Sequence, residues 1–311
     1  MKPQDSKNTA QSSSQPQEGA IANAPLDNLP ASLEQLNIEK EKNIPFQHEK
    51  LQEIIAELES DIADGKWFKG GHHYAETDLK LMPALIDQAN RKYQGLNLKL
   101  VTTSQDLSQS IKEAIKNGIS SSRLIVNTTD RGVHSVVIDH RTIEGKTSLI
   151  AFEPATLNSE IPLLLAVRIH LTVQRELPEC HFSKVEMDIQ RSTSECGIFS
   201  LALAKKLHIE TEKLTRMHKD NIDGVLCKTN TTLPPDKVDP YLPASFYKHT
   251  QGSRRLEEYV KTNPEAENEK VNKKGETLTE RFEKNLVTKE GKKVSVSLHR
   301  KRVTEYKALT M

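Results

Sequence analysis

The chain has 311 residues, 35% of them hydrophobic, 5% aromatic and 28% charged. Its 44 Lys/Arg against 43 Asp/Glu leave a net charge of +1, so no global field draws it to nucleic acid or a membrane surface. Three widely spaced cysteines exclude a disulfide framework, and no apolar run is long enough to span a bilayer.

Residues 1–30 hold four Ser, four Gln and four Pro, and no aromatic precedes Phe46. Such a segment buries too little apolar surface to offset its ordering entropy, so residues 1–45 are predicted to be disordered. A floppy terminus and a delivery signal for an export system are both compatible with that composition. Leu51, Ile54, Ile55, Leu58 and Ile62 then share one helical face, with Gly65 as a stop. A second helix is expected over Pro83–Tyr93, entered through Thr77-Asp78 and closed at Gly95. Leu96, Leu98 and Leu100 alternate as a half-buried strand, and Leu107, Ile111, Ala114 and Ile115 mark a helix ending at Gly118.

Short strands follow at Arg123–Asn127, His134–Asp139 and Thr147–Phe152. The last two are joined as an antiparallel hairpin around Glu144-Gly145. Ile161–Leu177 is apolar enough for a buried helix stopped by Pro178, Phe182–Ile189 alternates as a strand, and Gly197–Leu207 is an Ala- and Leu-rich helix. Asn263–Gly275 is a polar surface loop, after which Val294, Val296 and Leu298 alternate with Ser295, Ser297 and His299. Strands clustered between helices with antiparallel signals indicate an α+β fold rather than a doubly wound sheet.

A nucleophilic cysteine needs thiolate character, from an imidazole, a helix N-terminus or both. Cys196 lies between the cap-type residues Ser192-Thr193-Ser194-Glu195 and the helix that Gly197 opens, where unpaired N–H groups favour negative charge. A small buried apolar residue is the competing reading. Cys180 and Cys227 have no helix start after them. His134 heads an apolar strand and Glu153 ends the partner strand of the hairpin, so the two can face each other as base and orienting acid. A structural histidine and a solvated strand end are the plainer readings of the same two residues. Gln190, six residues before Cys196, offers an amide donor for an oxyanion. Metal binding is unsupported: His72-His73 are adjacent and point apart, and no Cys-x-x-Cys or His-Glu-x-x-His motif occurs.

These residues and their neighbours resemble the YopJ family of bacterial type III secreted effectors. The resemblance is carried by the strand leading from His134, Phe152-Glu153-Pro154-Ala155 and the run Glu186–Phe199. Asp239–Pro243, Phe246–Gly252, Val271–Lys274 and His299–Arg302 extend it, so that it covers roughly Leu51 to the C-terminus. It implies a fold like that of ubiquitin-like-protein cysteine proteases, with a helical and basic regulatory region built from both ends of the chain. The implied division is an export segment at 1–45, regulatory parts at 46–105 and 263–311, and a catalytic domain at 106–262. The implied activity is transfer of acetyl from acetyl-coenzyme A to Ser, Thr or Lys of host MAP kinase kinases, blocking MAPK and NF-κB signalling. Cys196 would be the nucleophile, His134 the base, Glu153 the orienting acid and Gln190 the oxyanion donor, with autoacetylation at Lys248.

The resemblance also implies activation by host inositol hexakisphosphate. The tail offers Lys292, Lys293, Arg300, Lys301, Arg302 and Lys307 against Glu305 alone. A solvated basic tail and a nucleic-acid or nuclear address are the other readings of that charge run, the second weakened by the lack of interleaved aromatics. Lys66 and Lys69 beside Trp67-Phe68 are further candidates. The resemblance implies secretion through a type III system and action in the host cytoplasm, with no nucleic acid and no membrane span. A protease of ubiquitin or SUMO conjugates using the same triad is the alternative enzyme, and a kinase-sequestering scaffold the alternative without chemistry.

Overall fold

The computed structural model describes residues 44–64, 72–128, 133–228, 231–289 and 291–311, all within one compact unit, Asn43–Met311. The expected disordered head up to residue 43, the Gly65 stop, the Lys66–Lys69 segment and the side chains of His72 and His73 lie outside the described residues.

Helix α1, His48–Asp64, buries Leu51, Ile55 and Leu58 on one face, as its 3.6-residue spacing requires. Helix α2, His72–Lys92, starts well before the expected Thr77-Asp78 opening and carries Pro83 in its interior. Burial of Tyr74, Ala75, Leu81, Met82 and Leu85 outweighs the hydrogen bond that proline removes. Asp78 is therefore no cap but a fully buried acid. After β1 (Leu98–Val101), helix α3 (Ser104–Lys116) is capped by Thr103, whose hydroxyl accepts from Asp106 N at 3.0 Å.

The sheet has six strands in the order β1 to β6: β2 Ser121–Val126, β3 Val136–Ile143, β4 Lys146–Glu153, β5 His181–Glu186 and β6 Thr232–Leu233. Strands β2, β3 and β4 are antiparallel, whereas β1 joins β2, and β5 and β6 follow β4, in parallel. The β3–β4 hairpin closes through Glu144 and Gly145 at φ 52° and 80°, the left-handed pair that a two-residue turn between twisted strands demands. Both sheet faces are covered. Ile125, Val137, Ile150, Phe152 and Val185 join a core with α1, α2 and helix α5 (Cys196–Ile209). On the other face Leu124, Val136, Ile138, Leu149 and Ala151 pack with α3 and helix α4 (Glu160–Glu176). Period-two alternation assigns each residue to its side, and double burial explains why β2 and β3 read as continuous apolar runs.

Two expected strands end early. Strand β5 stops at Glu186, and Asp188 at φ 53° turns the chain; Met187 N still donates to Glu153 O, and Gln190 N to Pro154 O, so the path runs on beside the end of β4. The alternating tail is a strand only to Ser295. Helix α6 (Thr215–Ile222) precedes β6, and α7 (Ser253–Thr262) and α8 (Leu278–Lys284) lead into a hairpin of β7 (Leu286–Lys289) and β8 (Lys292–Ser295). Helix α9 then takes Ser297–Lys307 and lies against α1, burying Leu298, His299, Arg302, Val303 and Tyr306. No described helix is long and apolar enough to cross a membrane. No group of three or more described His, Cys, Asp or Glu side chains could hold a metal ion.

Candidate active site

Helix α5 begins at Cys196, one residue before the expected start at Gly197, and not through a capping side chain. Its N-cap is Glu195, which makes no side-chain cap bond. The loop before it is held from outside. Gln251 accepts from Ser192 N at 2.9 Å and donates to Glu195, and Ser192 Oγ donates to Glu195 Oε2 at 2.5 Å. From helix α9, Arg302 Nη2 donates to Ser194 O at 2.6 Å while Nε and Nη2 grip Asp78 at 2.9 Å each. Cys196 is fully buried, with its backbone N–H among the first four of the helix, which have no partner within it.

His134 lies two residues before β3, and Glu153 is the last residue of β4. The hairpin brings His134 Nε2 to 2.8 Å from Glu153 Oε2, and the other carboxylate oxygen accepts from Ala155 N at 2.8 Å. With both oxygens engaged, the acid is fixed in orientation. Ser200 of α5 donates to Ser135 O at 3.0 Å, and the Cys196 thiol points at Val133 O at 3.6 Å, which ties the histidine segment to the cysteine helix. Burial favours the neutral His134 ring. Hydrogen bonds and charge from the Cys196 sulfur and Glu153 carboxylate overcome it and push the imidazole up to about 10. A cationic ring between a sulfur and a carboxylate is the arrangement that activates nucleophilic cysteines.

A cavity of about 680 Å³ opens beside this group, lined by His134, Gln190, Arg191, Arg254 and the start of α4 at Ser159–Pro162. Cys196 is not among the lining residues. Gln190 lines the cavity, but its amide nitrogen donates to Ser192 O at 2.6 Å and its carbonyl oxygen has no hydrogen-bond partner among the described residues. Cys180, by contrast, is pushed up to about 12 by burial and by Glu179, which makes it a poor nucleophile.

The basic tail divides. Arg302 is entirely buried in its pair with Asp78, which removes it from any open phosphate cluster: the carboxylate that binds it lies 224 residues away in sequence. Lys293 is exposed on β8, and the side chain of Lys292 is outside the described residues. Lys301 instead pairs with Glu305 and lies near Lys248 together with Lys206 of α5 and Arg281 of α8, while Arg300 lies near Arg281 and donates to Asn285 Oδ1 at 2.9 Å. Burial first, then Lys206, Lys301 and Arg281, bring the Lys248 amine down to about 7. Lys206 and Arg281 were not singled out in the sequence, because only tertiary packing gathers them around Lys248.

A buried cysteine at a helix start, an imidazole hydrogen-bonded to a carboxylate and a cavity beside that imidazole give this α+β protein a candidate active site. The family profile described as YopJ Serine/Threonine acetyltransferase matches residues 51–308. Serine/threonine-protein acetyltransferase YopJ of Yersinia pestis is 53% identical over 283 residues, covering 89% of this chain and 98% of that one; YopJ of Yersinia pseudotuberculosis matches equally. A solved structure described as AvrA delL154 with IP6 and CoA superposes with a TM-score of 0.81 at 50% identity, covering 86% of this chain and 99% of that one. HopZ1a in complex with IP6 and CoA shares the fold, with a TM-score of 0.67 at 20% identity over 85% of this chain and 98% of that one. The chain belongs to the YopJ family and is a serine/threonine acetyltransferase.

Proposed function

We propose that this enzyme transfers acetyl from acetyl-coenzyme A to serine, threonine or lysine side chains of host MAP kinase kinases through an acetyl-cysteine at Cys196. The observation that carries the reading is the 2.8 Å His134–Glu153 pair with Cys196 as the imidazole's other partner. In the first half-reaction the Cys196 sulfur attacks the thioester carbonyl. The bond from carbon to the coenzyme's sulfur breaks, and the leaving thiolate takes the His134 proton. In the second, an acceptor hydroxyl or amine attacks the acetyl-cysteine, His134 accepts its proton, and the Cys196 thiolate leaves. Exchange of one thioester for another is nearly balanced, so the site acts on the barrier.

Glu153 holds the Nε2 side of the ring, leaving Nδ1 to face the sulfur, and supports the imidazolium. The oxyanion sits at the α5 N-terminus, where main-chain N–H groups and the Gln190 carboxamide are the available donors. The cavity beside His134, with Arg191 and Arg254 in its lining, suits a phosphate-bearing thioester donor.

Inositol hexakisphosphate is the proposed activator. Lys206, Lys248, Arg281, Arg300 and Lys301 would hold it: the Lys248 amine, lowered first by burial and then by Lys206, Lys301 and Arg281, would be stabilised in its charged form by a polyanion, with Glu210, Glu276 and Glu305 already pairing Lys206, Arg281 and Lys301. A lysine amine brought to about 7 is also half neutral near neutral pH, which supports Lys248 as the autoacetylated residue. With YopJ as a relative, the chain is proposed to be an effector exported by a type III system into the host cytoplasm, where the kinase modification blocks MAPK and NF-κB signalling. Residues 46–105 and 263–311 would form the regulatory part around the catalytic residues 106–262.

The test is incubation with labelled acetyl-coenzyme A, inositol hexakisphosphate and a MAP kinase kinase. Label on the kinase that depends on the inositol phosphate is the expected result. No label on protein, together with cleavage of a ubiquitin or SUMO conjugate, would establish the protease instead.

A further inference from the structure

Helix α4 departs from the pattern of a surface helix. Its inner face is covered, with Leu165, Ile169 and Val173 in the core, yet its outer face is also aliphatic. Leu163, Leu164, Val167 and Leu171 are 47%, 43%, 43% and 57% exposed, half of the large hydrophobic side chains that stand exposed among the described residues. Spaced at i, i+1, i+4 and i+8, they form one stripe about 12 Å long. A solvent-facing helix side ordinarily carries polar residues, and the sequence predicts a buried helix here for that reason. A contiguous apolar patch left in water marks a surface that another molecule covers.

Its position says which molecule. The stripe starts at the residue after Pro162, and Ser159–Pro162 line the same cavity wall as His134 and Gln190. The patch is therefore continuous with the mouth through which an acceptor side chain must reach the acetyl group. Group transfer to a protein places that protein's surface against this rim, and α4 is the helix it meets there.

We infer that the outer face of α4 is the docking surface for the protein acceptor, which lays an apolar helix or ridge of its own along Leu163, Leu164, Val167 and Leu171 while its hydroxyl enters the cavity. The inference rests on the acceptor reading given above, and it assigns acceptor selection to contacts outside the cavity. A short peptide carrying only the modified residue does not reach the stripe.

The test compares wild type with the Leu164→Asp/Leu171→Asp pair and, as a milder change, Leu164→Ser/Leu171→Ser. Three rates are measured with inositol hexakisphosphate present: acetylation of an intact MAP kinase kinase, acetylation of a short peptide from its modified loop, and coenzyme A release without acceptor. The expected result is a rise of about tenfold or more in KM for the intact kinase, with the other two rates within about twofold of wild type. Unchanged kinase kinetics would overturn the inference. An equal fall in all three rates would also overturn it, because the stripe would then support the site rather than the acceptor. A wild-type dimer that the variants dissociate, with kinase kinetics intact, would assign the face to a second copy instead. Wild type labelling no MAP kinase kinase at all would overturn the acceptor reading itself, a result separable from the others.

Discussion

Two hydrogen-bonded chains of acid and imidazole sit on the same β3–β4 hairpin, and only one has the setting for chemistry. At the open end, Glu153 holds His134, and the ring's other partner is the Cys196 sulfur. Toward the turn, His218 Nε2 lies 3.0 Å from Asp139 Oδ2 and its Nδ1 2.8 Å from Ser148 Oγ, the order of groups found in serine hydrolases. The second chain is fully buried and lines no described cavity at His218, Asp139 or Ser148. Its acid is shared with Arg123 at 2.9 Å and Arg141 at 3.3 Å. Burial lowers the His218 ring in spite of Asp139, and the two arginines push it the same way, whereas His134 rises to about 10. Connectivity alone thus does not make a site. A cavity at the imidazole and a partner that stabilises its charged form do.

Four substitutions break or sharpen that contrast. Cys196→Ala has the largest effect: acetyl transfer falls by about 10³-fold or more, with thermal unfolding little changed, because the other two cysteine sulfurs bond to Glu179 and Thr231 rather than to an imidazole. Glu153→Gln keeps the shape but loses the charge that supports the imidazolium, and the rate falls about 10²–10⁴-fold in the same assay. Asp139→Asn, in the buried chain, leaves turnover per folded molecule within about threefold. It leaves Arg123 and Arg141 without their counter-charge and costs about 3–5 kcal/mol of stability by denaturant unfolding. Ser148→Ala is the mildest, costing about 1–3 kcal/mol through the polar partners it strands at His218 and Asn221, again without a specific loss of rate.

The pH dependence separates the two ends as well. His134 has a folded value near 10 against an ordinary 6.5, so the stability it contributes is complete below about 6.5 and is lost as pH rises through about 10. Glu153→Gln flattens that alkaline limb in unfolding curves. Burial lowers His140 to about 4, and burial with Arg302 beside it lowers His299 to about 3. Their contribution is present above about 6.5 and is lost as pH falls through those values. The acid limb therefore survives in the Glu153→Gln variant.

What the sequence revealed follows the same division between local and tertiary causes. The hairpin, a helix starting beside Cys196 and the facing of His134 and Glu153 were legible because each depends on residues close along the chain or on a turn of two residues. The cap residues Ser192–Glu195 were legible as a helix start, but their true partners, Gln251 and Arg302, lie about 60 and 108 residues away. Arg302 read as a free tail cation because Asp78 is invisible from its neighbourhood. Pro83 read as a helix opening because the burial that tolerates it comes from α1, α5 and α9. The α4 face read as buried because composition reports apolarity and not what covers it.

The central claim is that acetyl passes through Cys196. Mixing the enzyme with acetyl-coenzyme A and inositol hexakisphosphate in the absence of acceptor, quenching in acid and mapping peptides by mass spectrometry tests it directly. The account predicts one acetyl group on the Cys196 peptide, labile to hydroxylamine, absent from Cys196→Ala and chased onto a kinase added before the quench. Acetyl transfer to the kinase that persists in Cys196→Ala, or a trapped acetyl group found only on other residues, would contradict it.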